Sequence, residues 1–125
     1  MRDGKIKEAL SIYAEAQRLD PTLKISANSW STLCWFGSLW VHAADVVNVC
    51  EKAVALEPED VNYHDSRGLA RALTGKTEGA IEDFQDFINW TDYGVQKSQR
   101  EHWIEALQAG NNPFTPEELE KLRRQ

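Results

Sequence analysis

Two cysteines, three histidines and a run of serines beside tryptophans are the residues of this chain whose types could do chemistry. Cys34 and Cys50 stand 16 positions apart, which fits neither a CxxC redox pair nor a zinc-ligand spacing. They read as reduced, small core residues. His42, His64 and His102 fall on separate segments with no HExxH or paired Cys/His context, so no metal set is expected. Ser29, Ser31 and Ser38 flank tryptophans but lack the GxSxG turn that would expose a nucleophile. Gly75-Lys76-Thr77 has the ending of a phosphate loop without its upstream glycine and strand, and is read as a turn between helices. Glu57/Glu59/Asp60 and Glu117/Glu118 do not have calcium-loop spacing. No nucleophile–base pair, metal set or cofactor cradle is expected, and an enzyme is not the expected class.

The elements that would position any site are helical, and they repeat. Gly4-Lys5-Ile6-Lys7-Glu8-Ala9-Leu10 is echoed by Gly75-Lys76-Thr77-Glu78-Gly79-Ala80-Ile81. Leu19-Asp20-Pro21 recurs as Leu56-Glu57-Pro58, and Ala9, Val46 and Ala80 hold one slot in three units. The second and third units are offset by 34 residues and the first and second by 37. A fixed helical period of this length means stacked hairpins sharing a continuous core.

The expected frame is a half repeat at 1–23, full repeats at 27–60 and 61–94, and capping helices at 95–125. The first segment, Gly4 to Leu19, carries Ile6, Ala9, Leu10, Tyr13, Ala16 and Leu19 at helical spacing, with a turn expected at Asp3-Gly4 and a stop at Pro21. The second unit pairs a helix from Asn28 to Trp40 with one from Ala44 to Leu56; the third pairs Val61–Leu73 with Thr77–Trp90. Inward positions are Trp30, Leu33, Cys34 and Gly37, then Val46, Val47, Cys50, Ala53, Val54 and Leu56, then Ala80, Ile81, Phe84, Phe87 and Ile88, with Gly68 opposite Ala80 at a close helix approach. Beyond Trp90 the repeat is expected to break down. A helix from Val95 to Ala109 would turn Trp103, Ile104 and Leu107 inward and leave Gln96, Lys97, Gln99 and Arg100 for solvent. Thr115-Pro116-Glu117-Glu118 then has the form of an N-terminal cap for a short last helix.

The chain has 125 residues and a net charge of −6, with no clustered basic face of the kind that grips a nucleic-acid backbone. It has no apolar run of membrane-spanning length and no signal-like start at Met1-Arg2-Asp3-Gly4. Together with two cysteines that make no secreted framework, this reads as a reduced, cytoplasmic protein with no nucleic-acid or membrane partner.

These units resemble the tetratricopeptide repeat family over about three-quarters of the chain. The carriers are Gly4, Ala9, Tyr13, Ala16 and Pro21; Trp30, Leu33, Ala53 and Pro58; and Gly68, Gly75, Ala80 and Phe84. The chain departs from the family pattern at Val41, where a turn glycine is usual, at His64 and Arg71, and at Trp90-Thr91-Asp92, which lacks the closing proline. The tail, from Trp103-Ile104 through Asn112-Pro113-Phe114 to Leu122-Arg123, is similar to segments that close such regions in large bacterial proteins with WD40 propellers or signalling NTPase modules, which implies the end of a longer polypeptide. The resemblance implies an all-α, right-handed solenoid whose first helices line a concave groove. Asn28, Ser31, Thr32, Trp35, Ser38 and Leu39 from the second unit and Asn62, Asp65, Ser66, Leu69 and Ala72 from the third would face it. Trp35 has two readings, a surface anchor for a ligand or a packing residue. The surface holds no basic cluster of the type that clamps chaperone C-termini. A scaffold for a protein or peptide partner is the expected function, with an assembly or capping role in a larger protein as the alternative. Ile6, Leu10 and Tyr13, on a second-type helix without its partner, would expose an apolar stripe, which leads to an expected homodimer through the N-terminal helix.

Overall fold

The computed structural model describes residues 3–125, and side-chain surroundings from residue 5 onward. Residues 1 and 2 of the expected half repeat lie outside the described residues. Seven helices follow one another: α1 (Asp3–Leu19), α2 (Ala27–Leu39), α3 (Ala43–Leu56), α4 (Val61–Leu73), α5 (Thr77–Trp90), α6 (Gly94–Gln108) and α7 (Pro116–Arg123), with no strand among the described residues. The molecule is an all-α stack in which α2 pairs with α3, α4 with α5, and α4 also packs on α2 and α3.

Local chemistry sets the boundaries. Ser26 caps α2 by accepting from the Ser29 amide, Asp60 caps α4 at the Asn62 amide, and Thr115 caps α7 at the Glu118 amide with Pro116 at the first helical position. Three helices end in the same closure, in which an amide reaches back five residues: His42 N–H to Gly37, Lys76 N–H to Arg71 and Asn111 N–H to Ala106, each at 2.8 Å. The closure needs a left-handed residue. Gly75 and Gly110 supply it without cost; Val41 supplies it at φ 67°, strained for a β-branched side chain. The departure at Val41 therefore leaves the turn geometry intact and places the strain in one residue.

Most expected core positions are buried, with instructive exceptions. Leu56 closes α3 but is exposed, and Val49 is buried in its stead. The nearest atoms to Gly68 belong to Phe84 and Asp83; a Cβ there would lie 2.9 Å from the Phe84 ring and 3.0 Å from the Asp83 Cβ. Asp3 and Gly4, expected as a turn, already belong to α1. The apolar stripe of α1 is covered in part: Ile6 is fully buried, and the half-buried Ala9, Leu10 and Tyr13 pack on the α2–α3 core, Tyr13 meeting Trp30 edge-on at 5.3 Å, whereas Leu19 at the end of the stripe is 70% exposed. The expected homodimer rested on that stripe being open; with Ile6 buried and Leu10 and Tyr13 half-buried within the chain, the structure lends it no support.

The cysteines require a second correction. Cys34 and Cys50, expected as reduced core residues, form a disulfide that ties α2 to α3 in a fully buried setting. Facing slots in the hairpin bring them together, which their spacing in sequence does not reveal. The bond also removes the ground on which a reducing compartment was expected, since disulfides persist in oxidising ones. No helix among the described residues is long and apolar enough to cross a membrane.

α6 joins the core through Trp103, Ile104 and Leu107. Trp103 and Leu107 stand 34 residues after Leu69 and Leu73, and Trp103 lies fully buried beside Phe84 and Phe114. After Gly110 the chain turns back, and α7 packs on α2.

Candidate peptide-binding face

The residues expected to line a groove come from α2 and α4, and the structure divides them into two groups. Asn28, Thr32 and Asn62 are exposed. Ser31, Ser38, Leu39, Asp65, Ser66 and Leu69 are buried, and Trp35 and Ala72 are half-buried. The cause is that α6 and α7 pack onto this side of α2 and α4, so that part of the expected groove is already filled by the chain.

The contact with α6 is ionic. Arg100, expected in solvent, is buried and donates from Nε to one Asp65 oxygen at 3.1 Å and from Nη2 to the other at 2.6 Å. This bidentate geometry is the strong form of the guanidinium–carboxylate pair. Burial pushes the Asp65 carboxyl above its usual range; the Arg100 bonds oppose that, and the nearby Asp83 charge adds to it. The Arg100 guanidinium also lies 4.6 Å from the Trp103 ring centre, 4.8 Å from Phe87 and 6.0 Å from Trp35. Trp35 is thus built into the packing, although part of it remains open. Beside it the buried Ser31 hydroxyl donates to the Ser66 hydroxyl at 3.3 Å.

The contact with α7 is amphipathic. Leu119 and Leu122 join Leu39, Leu69 and Phe114 in one apolar cluster. Arg123 donates from Nε and Nη2 to the Leu39 carbonyl at 2.9 and 2.7 Å, and its guanidinium stacks 4.4 Å over Trp40. That carbonyl lies in the last turn of α2, where a helix leaves acceptors without intrahelical donors. Gln99 on α6 donates to Glu118 on α7 at 3.2 Å. Asn28, Thr32, Trp35 and Leu39 follow helical spacing along one stripe of α2, so α7 covers the Leu39 end and the Asn28 end stays open.

A second polar centre, missed in the sequence, joins α3, α4 and α5. Asp83, buried, accepts from Arg67 at 2.8 and 3.0 Å and from Arg71 at 3.2 Å, while Glu51 accepts from Arg71 at 2.9 Å and from Arg67 at 3.3 Å. Burial works to lower the Arg67 proton affinity, but its bonds to Asp83 and Glu51 carry it above the ordinary value. The only sign of this centre in the sequence is that two arginines and an aspartate occupy positions where the preceding unit has Leu33, Gly37 and Val49.

His64 lies beside this centre, with potential ligand atoms of His64, Asp83 and Asp86 all within 4.8 Å of one another. They are already engaged: His64 Nδ1 faces Asp86 at 3.0 Å, Nε2 faces the Pro58 carbonyl at 2.6 Å, and Asp83 is held by two guanidiniums. A cation here would have to displace those partners.

Comparison with known proteins yields relatives of one kind. The chain is 28% identical over 86 residues to DnaJ homolog subfamily C member 3 of Gallus gallus, an alignment covering 68% of this chain and 17% of that protein. It is 23% identical over 107 residues to the Homo sapiens protein of the same name, covering 80% of this chain and 21% of that protein. The chain thus spans about a fifth of the length of the curated relatives it matches. No family model matches the chain, and no solved structure matches it.

Proposed function

We propose that this chain is a protein-interaction scaffold of the tetratricopeptide type that holds a helical peptide segment along α2 and α4. The observation that carries the reading is that α7 lies against this side as an amphipathic helix, with two leucines in the apolar cluster and an arginine on the Leu39 carbonyl. A face that holds one such helix has the apolar hollow and the carbonyl acceptors that recognition of a helix in a groove requires. The open stretch at Asn28, Thr32 and Asn62, bordered by Trp35, offers adaptable hydrogen bonding next to a large ring. The similarity to DnaJ homolog subfamily C member 3 accords with a role among protein partners. An assembly or capping role within a larger multidomain protein is the second reading; the filling of the Leu39 end by α7 favours it.

Peptides selected by display against the full chain should shift the NMR amide signals of Asn28, Thr32 and Asn62. Thr32→Arg should weaken their binding about tenfold while leaving the melting temperature unchanged, since Thr32 is exposed. Selected peptides that bind with no shift on α2 or α4, or a selection that enriches nothing, would favour the assembly role.

A further inference from the structure

Four of the five tryptophans carry a cation from this chain on the ring face. Lys52 lies 4.7 Å from the centre of Trp30, Arg123 4.4 Å from Trp40, and Arg100 4.6 Å from Trp103 and 6.0 Å from Trp35. Trp90 is the exception among the described residues. Its ring neighbour is Phe87, at 6.0 Å, and 57% of the residue is open to solvent.

Its surroundings have the composition of a recognition site. Tyr93 is 72% exposed and Val95 83%, so three large apolar side chains within six positions face water where α5 passes into α6. Trp90, Thr91, Asp92 and Tyr93 line a hollow of about 430 Å³. Asp92, which is exposed, is the acidic residue of this lining; Asp86, one helical turn before Trp90, is engaged by His64 at 3.0 Å. Of the cations in the vicinity, Arg100, behind Phe87, is paired with Asp65, and Lys97 lines the neighbouring α5–α6 hollow together with Glu101 and Glu105. The corner is apolar, aromatic and acidic. An aromatic face attracts a cation through its quadrupole, and an adjacent carboxylate strengthens that attraction.

We propose that the Trp90–Asp92–Tyr93 corner docks a partner protein segment presenting an arginine or lysine beside an apolar residue, with the cation on the Trp90 face and against the Asp92 carboxylate. Charge complementarity selects this partner, on a chain of net charge −6. The protein's own use of its other four tryptophans shows the contact it would make. This surface is separate from the α2–α4 face and does not depend on it.

The test uses the full ¹⁵N-labelled chain and a short acetylated peptide of repeated Leu-Arg steps, compared with its Leu-citrulline counterpart, which keeps the shape and removes the charge. The arginine peptide should shift the Trp90 indole signal and the Asp92 and Tyr93 amides, and raised salt should weaken it. Trp90→Leu, which keeps apolar area and loses the ring, and Asp92→Asn should each reduce affinity about fivefold or more. Both positions are exposed, so the melting temperature should hold. Equal binding of the citrulline peptide, unchanged affinity in both variants, or shifts confined to Asn28, Thr32 and Asn62 would overturn the proposal. So would Trp90-dependent association with phosphatidylserine vesicles in the absence of peptide binding.

Discussion

The α2–α3 and α4–α5 hairpins share one frame, 34 residues apart, and solve the same contacts with different chemistry. Where the first joins Cys34 to Cys50 by a disulfide, the second sets Phe84 against the bare backbone of Gly68. Where the first buries Leu33 and Val49, the second has Arg67 bonded to Asp83. The first turns on a strained Val41 and the second on Gly75. Helix spacing and turn geometry therefore specify the fold, and each contact slot accepts a covalent, apolar or ionic filling that satisfies its own partners. The hairpins differ in how each could fail.

The ionic slot should fail hardest. Asp83→Val leaves Arg67 and Arg71 sharing only Glu51, and stranding buried charge in this way costs about 3–5 kcal/mol. Adding Arg67→Leu converts the slot to the Leu33/Val49 solution and should restore most of the loss, as buried ion pairs replaced by apolar pairs often do. Urea denaturation of wild type, single and double variants measures both steps. A double variant as unstable as the single would show that the slots are not equivalent.

The covalent slot comes next. Closing a loop of about 15 residues is worth ~3 kcal/mol in the chain-entropy account. A reductant added during urea unfolding should lower the midpoint of the wild type by that equivalent. It should leave Cys34→Ala/Cys50→Ala, already lowered, where it stands. A wild-type midpoint indifferent to reductant would mean that the first hairpin is held by packing alone.

The smallest effect is a gain. Val41 is 77% exposed, so Val41→Gly loses almost no packing and relieves a left-handed conformation that costs a side-chain-bearing residue about 1–2 kcal/mol. Part of that returns as glycine's greater backbone entropy when unfolded. A net stabilisation of about 0.5–1 kcal/mol should appear as a higher midpoint. Gly75→Val, the reverse change in the second hairpin, should lower it by a similar amount.

Helix boundaries, caps and most of the apolar core were legible because they depend on local spacing and on turn residues. Thr115-Pro116 and Gly110 act in the structure as their types require. The disulfide was hidden because spacing of 16 residues says nothing until the two helices are laid side by side. The frame itself held the missing signal, since Cys34 and Cys50 occupy the Gly68 and Phe84 slots. The candidate face was legible by position but not by state. Which side chains stay open depends on where α6 and α7 pack, and nothing local to Asp65 or Leu39 announces partners at Arg100 and Arg123.

The bond from Arg123 to the Leu39 carbonyl spans 84 residues. A linear stack of hairpins has interactions only between neighbours, so its ends fray and its units can open one at a time. Here the last helix is fastened to the first complete hairpin, and the stack is closed into a ring of contacts. Opening the α2 end then also costs the α7 end, so the described helices should melt in one cooperative transition instead of by degrees. Amide hydrogen exchange should accordingly give α2 and α7 similar opening free energies, whereas an unclosed stack would show a gradient from the middle to the ends.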